Sequence, residues 1–160
     1  MTKRTIQELI TYVNTLDESV VITDKNWDGD GPHCVYANPK FTELTGYTLA
    51  DIAGKNMRIL QGPDTDRKVM DELKRSVQAG ERFEGQTWNY NKHGKKFLMQ
   101  WVIGNIGPKY TDYYYAVQRD VTHLKCRQET ENSIKDLQNL IKDVDFFLVG
   151  ETVSDLRSTN

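Results

Sequence analysis

A chain of 160 residues is the length of one domain with short extensions, and 38% hydrophobic residues are enough for a packed core. A formal net charge of −2 gives no general attraction to nucleic acid or to an anionic membrane. No apolar run approaches the ~18 residues of a membrane span, and the opening MTKRTIQELITYV lacks the unbroken apolar stretch of a signal peptide. The expectation is a cytoplasmic protein with Cys34 and Cys126 reduced.

Ile6, Leu9, Ile10, Val13 and Leu16 recur at helical spacing and predict a helix over 5–16. SVVITDKN and HCVYAN read as two short strands joined by a turn that begins at Asp24. Asn38-Pro39 then opens a brief helix, with Asn as its cap and Pro in the first turn, where a missing N–H loses nothing. Thr48 and Asp51 predict a capping box for a second short helix that stops at Gly54. Val69, Leu73 and Val77 mark one face of a longer helix over 67–79, which Gly80 is placed to end. The period changes after it. RFEGQTWNYN, KKFLMQWVIGNI and DYYYAVQRDVT are three strands rich in aromatic and β-branched residues. His93-Gly94 suits a hairpin turn, and Gly107-Pro108 begins the next connection. The fold class is α+β, a five-stranded antiparallel sheet with short helices on one face and flanking N- and C-terminal helices.

Beyond Thr122 the chain becomes charged and helical. Ile134, Leu137, Ile141, Val144 and Leu148 form a heptad-like seam. This helix either docks on its own sheet or pairs with a second chain. The organisation is an N-terminal helix (1–17), a core (18–122), a C-terminal helix (123–149) and a polar tail (150–160). DKNWDGDGPHCV imitates the start of a calcium loop, but Val35 stands where the bidentate Glu belongs and both flanks read as strands. An acidic inter-strand turn is the better reading. His33, His93 and His123 are scattered, and no metal ligand set is proposed.

The stretch GKNMRILQGPDTD places Asn56, Met57, Arg58 and Gln61 within six residues. Together with NPKFTELTGY, NYNKHGKKF and YAVQRDVT, in that order, it resembles the PAS superfamily and, more narrowly, its flavin-binding LOV (light-oxygen-voltage) branch. The resemblance covers about residues 18–122. It implies a flavin, FMN by default with FAD as the alternative, between the short helices and the inner sheet face. A flat, largely apolar ring needs a greasy slot, amides can match its polar edge, and guanidinium or ammonium groups can hold its phosphate.

Carried over by position, Asn56 and Gln61 would bond the ribityl chain and ring, and Arg58 would meet the phosphate. Asn89 would read the pyrimidine edge, and Gln118 would lie near the ring nitrogen N5. Thr23, Leu60, Trp101 and Tyr114 would line the pocket. Alternation along strands gives a check: Thr87 and Asn89 share a face, as do Met99, Trp101 and Ile103, and Tyr114, Ala116 and Gln118.

Three departures from the family pattern matter. Met57 stands where photoactive LOV domains have the cysteine that bonds the flavin after illumination. A thioether has no S–H proton to give. Lys74 replaces a phosphate-binding arginine, losing the bidentate fork that neighbouring Arg75 can offer. Met99 replaces an asparagine that contacts the pyrimidine edge. The expected function is therefore a sensory domain, not an enzyme, responding to blue light or to reductant without the cysteinyl adduct. Gln118 would answer N5 protonation and pass the change to the C-terminal helix. A homodimer through the flanking helices and a downstream effector are the implied partners. The alternative is a PAS dimerisation module with no flavin, its cavity filled by Met57 and Met99.

Overall fold

The computed structural model describes residues 5–104 and 112–148. Helix α1 (Ile6–Val13) is capped by Thr5, whose hydroxyl accepts from the Glu8 N–H at 3.2 Å. It ends at Val13 rather than at Leu16, because Asn14 and Thr15 turn the chain and the Thr15 hydroxyl donates to the Tyr12 carbonyl at 2.6 Å. Leu16, now outside the helix, still packs on the same apolar cluster. Strands β1 (Ser19–Asp24) and β2 (Cys34–Ala37) follow. The loop between them is the inter-strand turn expected. Asp24 accepts from the N–H groups of Asn26 and His33, at 3.1 and 3.0 Å, and so closes the loop on itself.

Helix α2 (Pro39–Thr45) is capped by Asn38, and α3 (Leu49–Ile52) carries the Thr48–Asp51 capping box. The run that contains Asn56 and Gln61 forms a 3₁₀ helix, Met57–Leu60, before α4 (Arg67–Gln78). Gly80, at φ 80°, provides the left-handed step just past the end of α4. Strands β3 (Phe83–Tyr90), β4 (Lys96–Gly104) and β5 (Tyr113–Asp120) complete an antiparallel sheet in the order β2-β1-β5-β4-β3. Helix α5 (Arg127–Leu148) closes the described chain. The expected end of β4 near Ile106, the Gly107-Pro108 connection and the tail over 150–160 lie outside the described residues.

The sheet separates two apolar layers. On its inner face α2, α3, the 3₁₀ helix and α4 pack over Val21, Phe97, Met99, Trp101 and Tyr114. On its outer face α1 and α5 pack over Val20, Ile22, Val102, Tyr115 and Val117. The two layers follow from strand alternation, since neighbours such as Trp101 and Val102 point to opposite sides. Of the two fates left open for the heptad-like seam, the structure shows docking within one chain. Leu137, Ile141 and Val144 are fully buried and Leu148 is 1% exposed. Each such side chain contributes about 1.5–3 kcal/mol when taken out of water. No helix among the described residues is long and apolar enough to cross a membrane.

The last turn of α5 carries a titrating group into this outer layer. Asp145 accepts a hydrogen bond from the Tyr115 hydroxyl and an ion-paired one from Arg82 Nη2 at 2.6 Å. Burial pushes its carboxyl up from 3.8 to about 6, outweighing the Arg82 charge, which acts the other way. The folded state therefore holds this proton more tightly than the unfolded one. The stability so contributed is complete below the unfolded value of 3.8 and is lost as pH rises through about 6. Asp145→Asn removes the titration, and urea unfolding should then depend less on pH between about 4 and 7, by up to ~3 kcal/mol. Equal pH slopes for the two proteins would refute the assignment.

Candidate functional site

The register of the sheet brings the expected inner-face residues together. Thr87 pairs with Met99, Trp101 with Gln118, Ile103 with Ala116, and Thr23 with both Tyr114 and Cys34. Met99, Trp101 and Tyr114 are 2%, 4% and 8% exposed. Opposite them lie Leu60, which is buried, and Met57 and Ile59, which are half-buried against the same cluster. Met57 thus lies where the short helix meets the sheet layer.

The turn after Gln61 is anchored to β3. A Cβ on Gly62 would sit 2.3 Å from the Tyr90 ring, so only glycine lets the chain pass. Beyond it the Thr65 hydroxyl donates to the Trp88 carbonyl at 2.7 Å, and the Asp66 N–H donates to Thr87 Oγ1 at 2.8 Å. GPDTD is therefore the stitch that holds the 3₁₀ helix against the strand carrying Asn89.

The amides divide by role. Asn56 Nδ2 donates to the carbonyls of Asp30 and Pro32, both at 2.8 Å, while its oxygen caps Arg58 N–H at 2.9 Å. Its two donors are engaged in joining the β1–β2 loop to the 3₁₀ helix, which leaves one lone pair on its oxygen for a guest. Gln61 Oε1 accepts from Arg67 Nη2 at 2.6 Å. Gln118, 6% exposed, accepts through Oε1 from the Ser19 hydroxyl at 3.1 Å. Asn89, also 6% exposed, donates from Nδ2 to the Met99 sulfur at 3.2 Å, and its Oδ1 is buried with no partner among the described residues. A sulfur is a weak acceptor, and an unsatisfied buried oxygen costs about 1–3 kcal/mol. Asn89 thus presents an amide edge that a polar ligand edge would satisfy.

The cations stand outside this layer. Arg58, Arg67, Lys74 and Arg75 are exposed on the 3₁₀ helix and α4. The Lys74 ammonium lies 6.0 Å from the centre of the Trp27 ring. Trp27 is the residue the sequence reading missed. Its indole N–H donates to the Tyr114 hydroxyl at 3.0 Å, the rings meet edge to face at 6.2 Å, and it packs on the inner cluster. A tryptophan in an Asp/Gly-rich loop carries no periodic signal of burial.

Cys34 belongs to the same inner cluster, and its backbone pairs with Gly54 and Lys55 just before Asn56. Burial pushes its thiol up to about 11, so it carries its proton at neutral pH. Cys126 is exposed. Among the described residues no group of three or more His, Cys, Asp or Glu side chains could hold a metal.

Residues 17–123 match the family model described as PAS domain. The chain belongs to the PAS family, in its LOV branch. It is 34% identical to phototropin-2 of Oryza sativa subsp. japonica over 71% of its own length and 12% of the relative's. It is also 34% identical to blue-light-activated histidine kinase 1 of Erythrobacter litoralis, over 67% of this chain and 32% of that one. The chain thus spans a third or less of these two curated relatives. Among solved structures it is similar to the LOV domain of the Erythrobacter litoralis EL346 blue-light activated histidine kinase. That match has a TM-score of 0.61 and 28% identity, and covers 67% of this chain and 98% of that one.

Proposed function

We propose that this LOV domain binds FMN against the inner face of its sheet and reports the flavin's redox state, set by blue light or by cellular reductant. The observation that carries the reading is the buried, unpartnered Oδ1 of Asn89. It lies on the same apolar face as Trp101, Met99 and Gln118, a pattern suited to a flat ring with one polar edge. When bound, the flavin supplies one- and two-electron chemistry, with protonation at its nitrogen N5.

The protein's residues do the rest. Asn89 and Gln118 orient the ring, Asn56 and Gln61 offer acceptors to the ribityl chain, and Arg58 with Lys74 or Arg75 neutralises the phosphate. Thr23, Leu60, Trp101 and Tyr114 exclude water, and Met57 offers no S–H proton and no thiolate. Gln118 can present either its oxygen or its NH₂ to the pocket, so its rotation registers the protonation state opposite it. Residues 18–122 act as the sensing core, and 1–17 and 123–149 as the flanking helices that it controls. Release of α5 would open its seam to a second copy of the chain or to an effector. The setting is cytoplasmic, and FAD is the alternative flavin.

Absorption by the purified protein tests the reading. Expected is a yellow protein whose blue-region band is lost under illumination only when a mild electron donor is supplied. A colourless preparation that does not take up added FMN would overturn the proposal. It would favour the alternative of an interaction module whose hollow is filled by Met57 and Met99.

A further inference from the structure

Gln118 and Arg119 are neighbours on β5 and therefore face opposite sides of the sheet. On the inner side Gln118 holds the Ser19 hydroxyl at 3.1 Å. On the outer side the Arg119 guanidinium binds Glu18, the residue before Ser19. The end of β5 and the start of β1 are thus tied twice, once through each face.

Arg119 does more than close this pair. Its Nη1 donates to the Ser133 hydroxyl at 3.2 Å and lies 3.7 Å from the Asp136 carboxylate, both on α5. Glu18 in turn leads to α1. Asn38 Nδ2 donates to the carbonyls of Glu18 and Val13, at 2.8 and 3.0 Å, and Val13 is the last residue of that helix. One guanidinium therefore joins β5, the entry to β1 and α5, and the Asn38 amide carries the link on from Glu18 to the end of α1.

The contacts under α5 also change character along its length. Toward its C-terminal half the interface is apolar, built on Leu137, Ile141, Val144 and Leu148. Toward its N-terminal half it is polar. Gln100, the strand partner of Arg119, donates to the Thr130 carbonyl at 3.1 Å and to Gln86 at 3.0 Å, while its own buried Oε1 has no partner among the described residues. An unsatisfied acceptor and partly exposed ion pairs make this the weakly held half of the helix.

Resting on the flavin reading above, we infer that Arg119 is the positioning residue that couples the amide state of Gln118 to the docking of α5, with Glu18 as its anchor on the β1 side. When the Gln118 amide turns, the Ser19 hydroxyl must exchange the bond it makes, and the β1–β5 tie on the inner face shifts. The guanidinium held between Glu18 and Ser133 transmits that shift, and the first turns of α5 loosen while the apolar half stays seated. No bond to the flavin is required of Arg119.

Hydrogen–deuterium exchange on the full chain, with bound flavin oxidised or reduced by dithionite, reads the coupling at residues 127–136. In the native protein reduction should speed exchange there and leave 141–148 unchanged. Glu18→Ala keeps the Arg119 contacts to α5 and cuts only the side-chain anchor on the β1 side. It should leave the flavin spectrum and its reduction unaltered and shrink the redox-dependent change roughly fivefold or more. Arg119→Gln should do the same, and Arg119→Lys, which keeps the charge, should retain part of the response. A full response in Glu18→Ala overturns the inference. If Gln118→Leu then abolishes the response, the flavin reading survives by another route. A native protein with no response to reduction sinks both.

Discussion

Replacing Met57 with Cys is expected to give a protein that bleaches completely and reversibly under blue light, with no electron donor added. Met57 is the first residue of the 3₁₀ helix and is half-buried on the inner cluster, set in place by the Asn56 cap. Its thioether can pack against a ring but has no S–H proton to give and no thiolate to form. A thiol at this position would supply both, as the cysteine does in the photoactive LOV domains that this sequence resembles. The change is close to all-or-none, because residue 57 itself goes from a side chain with no S–H to one that carries it. Absorption before, during and after illumination measures it. A Met57→Cys protein that binds flavin yet never bleaches without reductant would show that the 3₁₀ helix does not present residue 57 to the ring.

The native protein carries its own control in Cys34. This thiol is in the inner cluster, but it belongs to β2, and burial keeps it protonated. If the native protein bleached reversibly and Cys34→Ala did not, the reactive sulfur would be Cys34, and the account of Met57 would be wrong.

Much of the fold was legible because its signals are local. Asn38-Pro39 and Thr48 with Asp51 are helix starts whose partners lie within three residues, and both form as expected. Strand alternation grouped Met99 with Trp101 and Ile103, and Tyr114 with Ala116 and Gln118, before any register was known, and the pairing of Trp101 with Gln118 joins the two sets. What escaped depends on contacts far apart in sequence. Trp27 reaches Tyr114 across 87 positions. Asn56 reads as a ligand amide, yet its donors serve Asp30 and Pro32 on a loop more than twenty residues away. The seam of α5 announced an apolar stripe but not what would cover it, since a sheet face and a second helix demand the same spacing.

Ile141→Asp should detach α5 without unfolding the core. Ile141 is fully buried in the middle of the seam, among Val20, Val102 and Val117. An aspartate there loses the ~1.5–3 kcal/mol of side-chain burial and adds several more for an unpaired carboxylate out of water. The protein has a less costly escape than tolerating that charge. Helix α5 can leave the sheet, so the penalty is limited to the free energy of docking. Lys135 and Lys142, on the exposed side of the helix, should then become rapid trypsin sites, while β1–β5 resist. Asn139→Asp adds the same charge on the exposed face of α5 and should change stability by no more than about 0.5 kcal/mol. Detachment also decides between the two partners the seam can serve. Leu137, Val144 and Leu148 would be uncovered together with the sheet face beneath them, an apolar area too large to remain in water unpaired. A concentration-dependent dimer in sedimentation would mean that a second copy takes the place of the sheet. A monomer that stays soluble and trypsin-resistant would mean that α5 never left, and that the outer layer holds the helix more firmly than a signalling element allows.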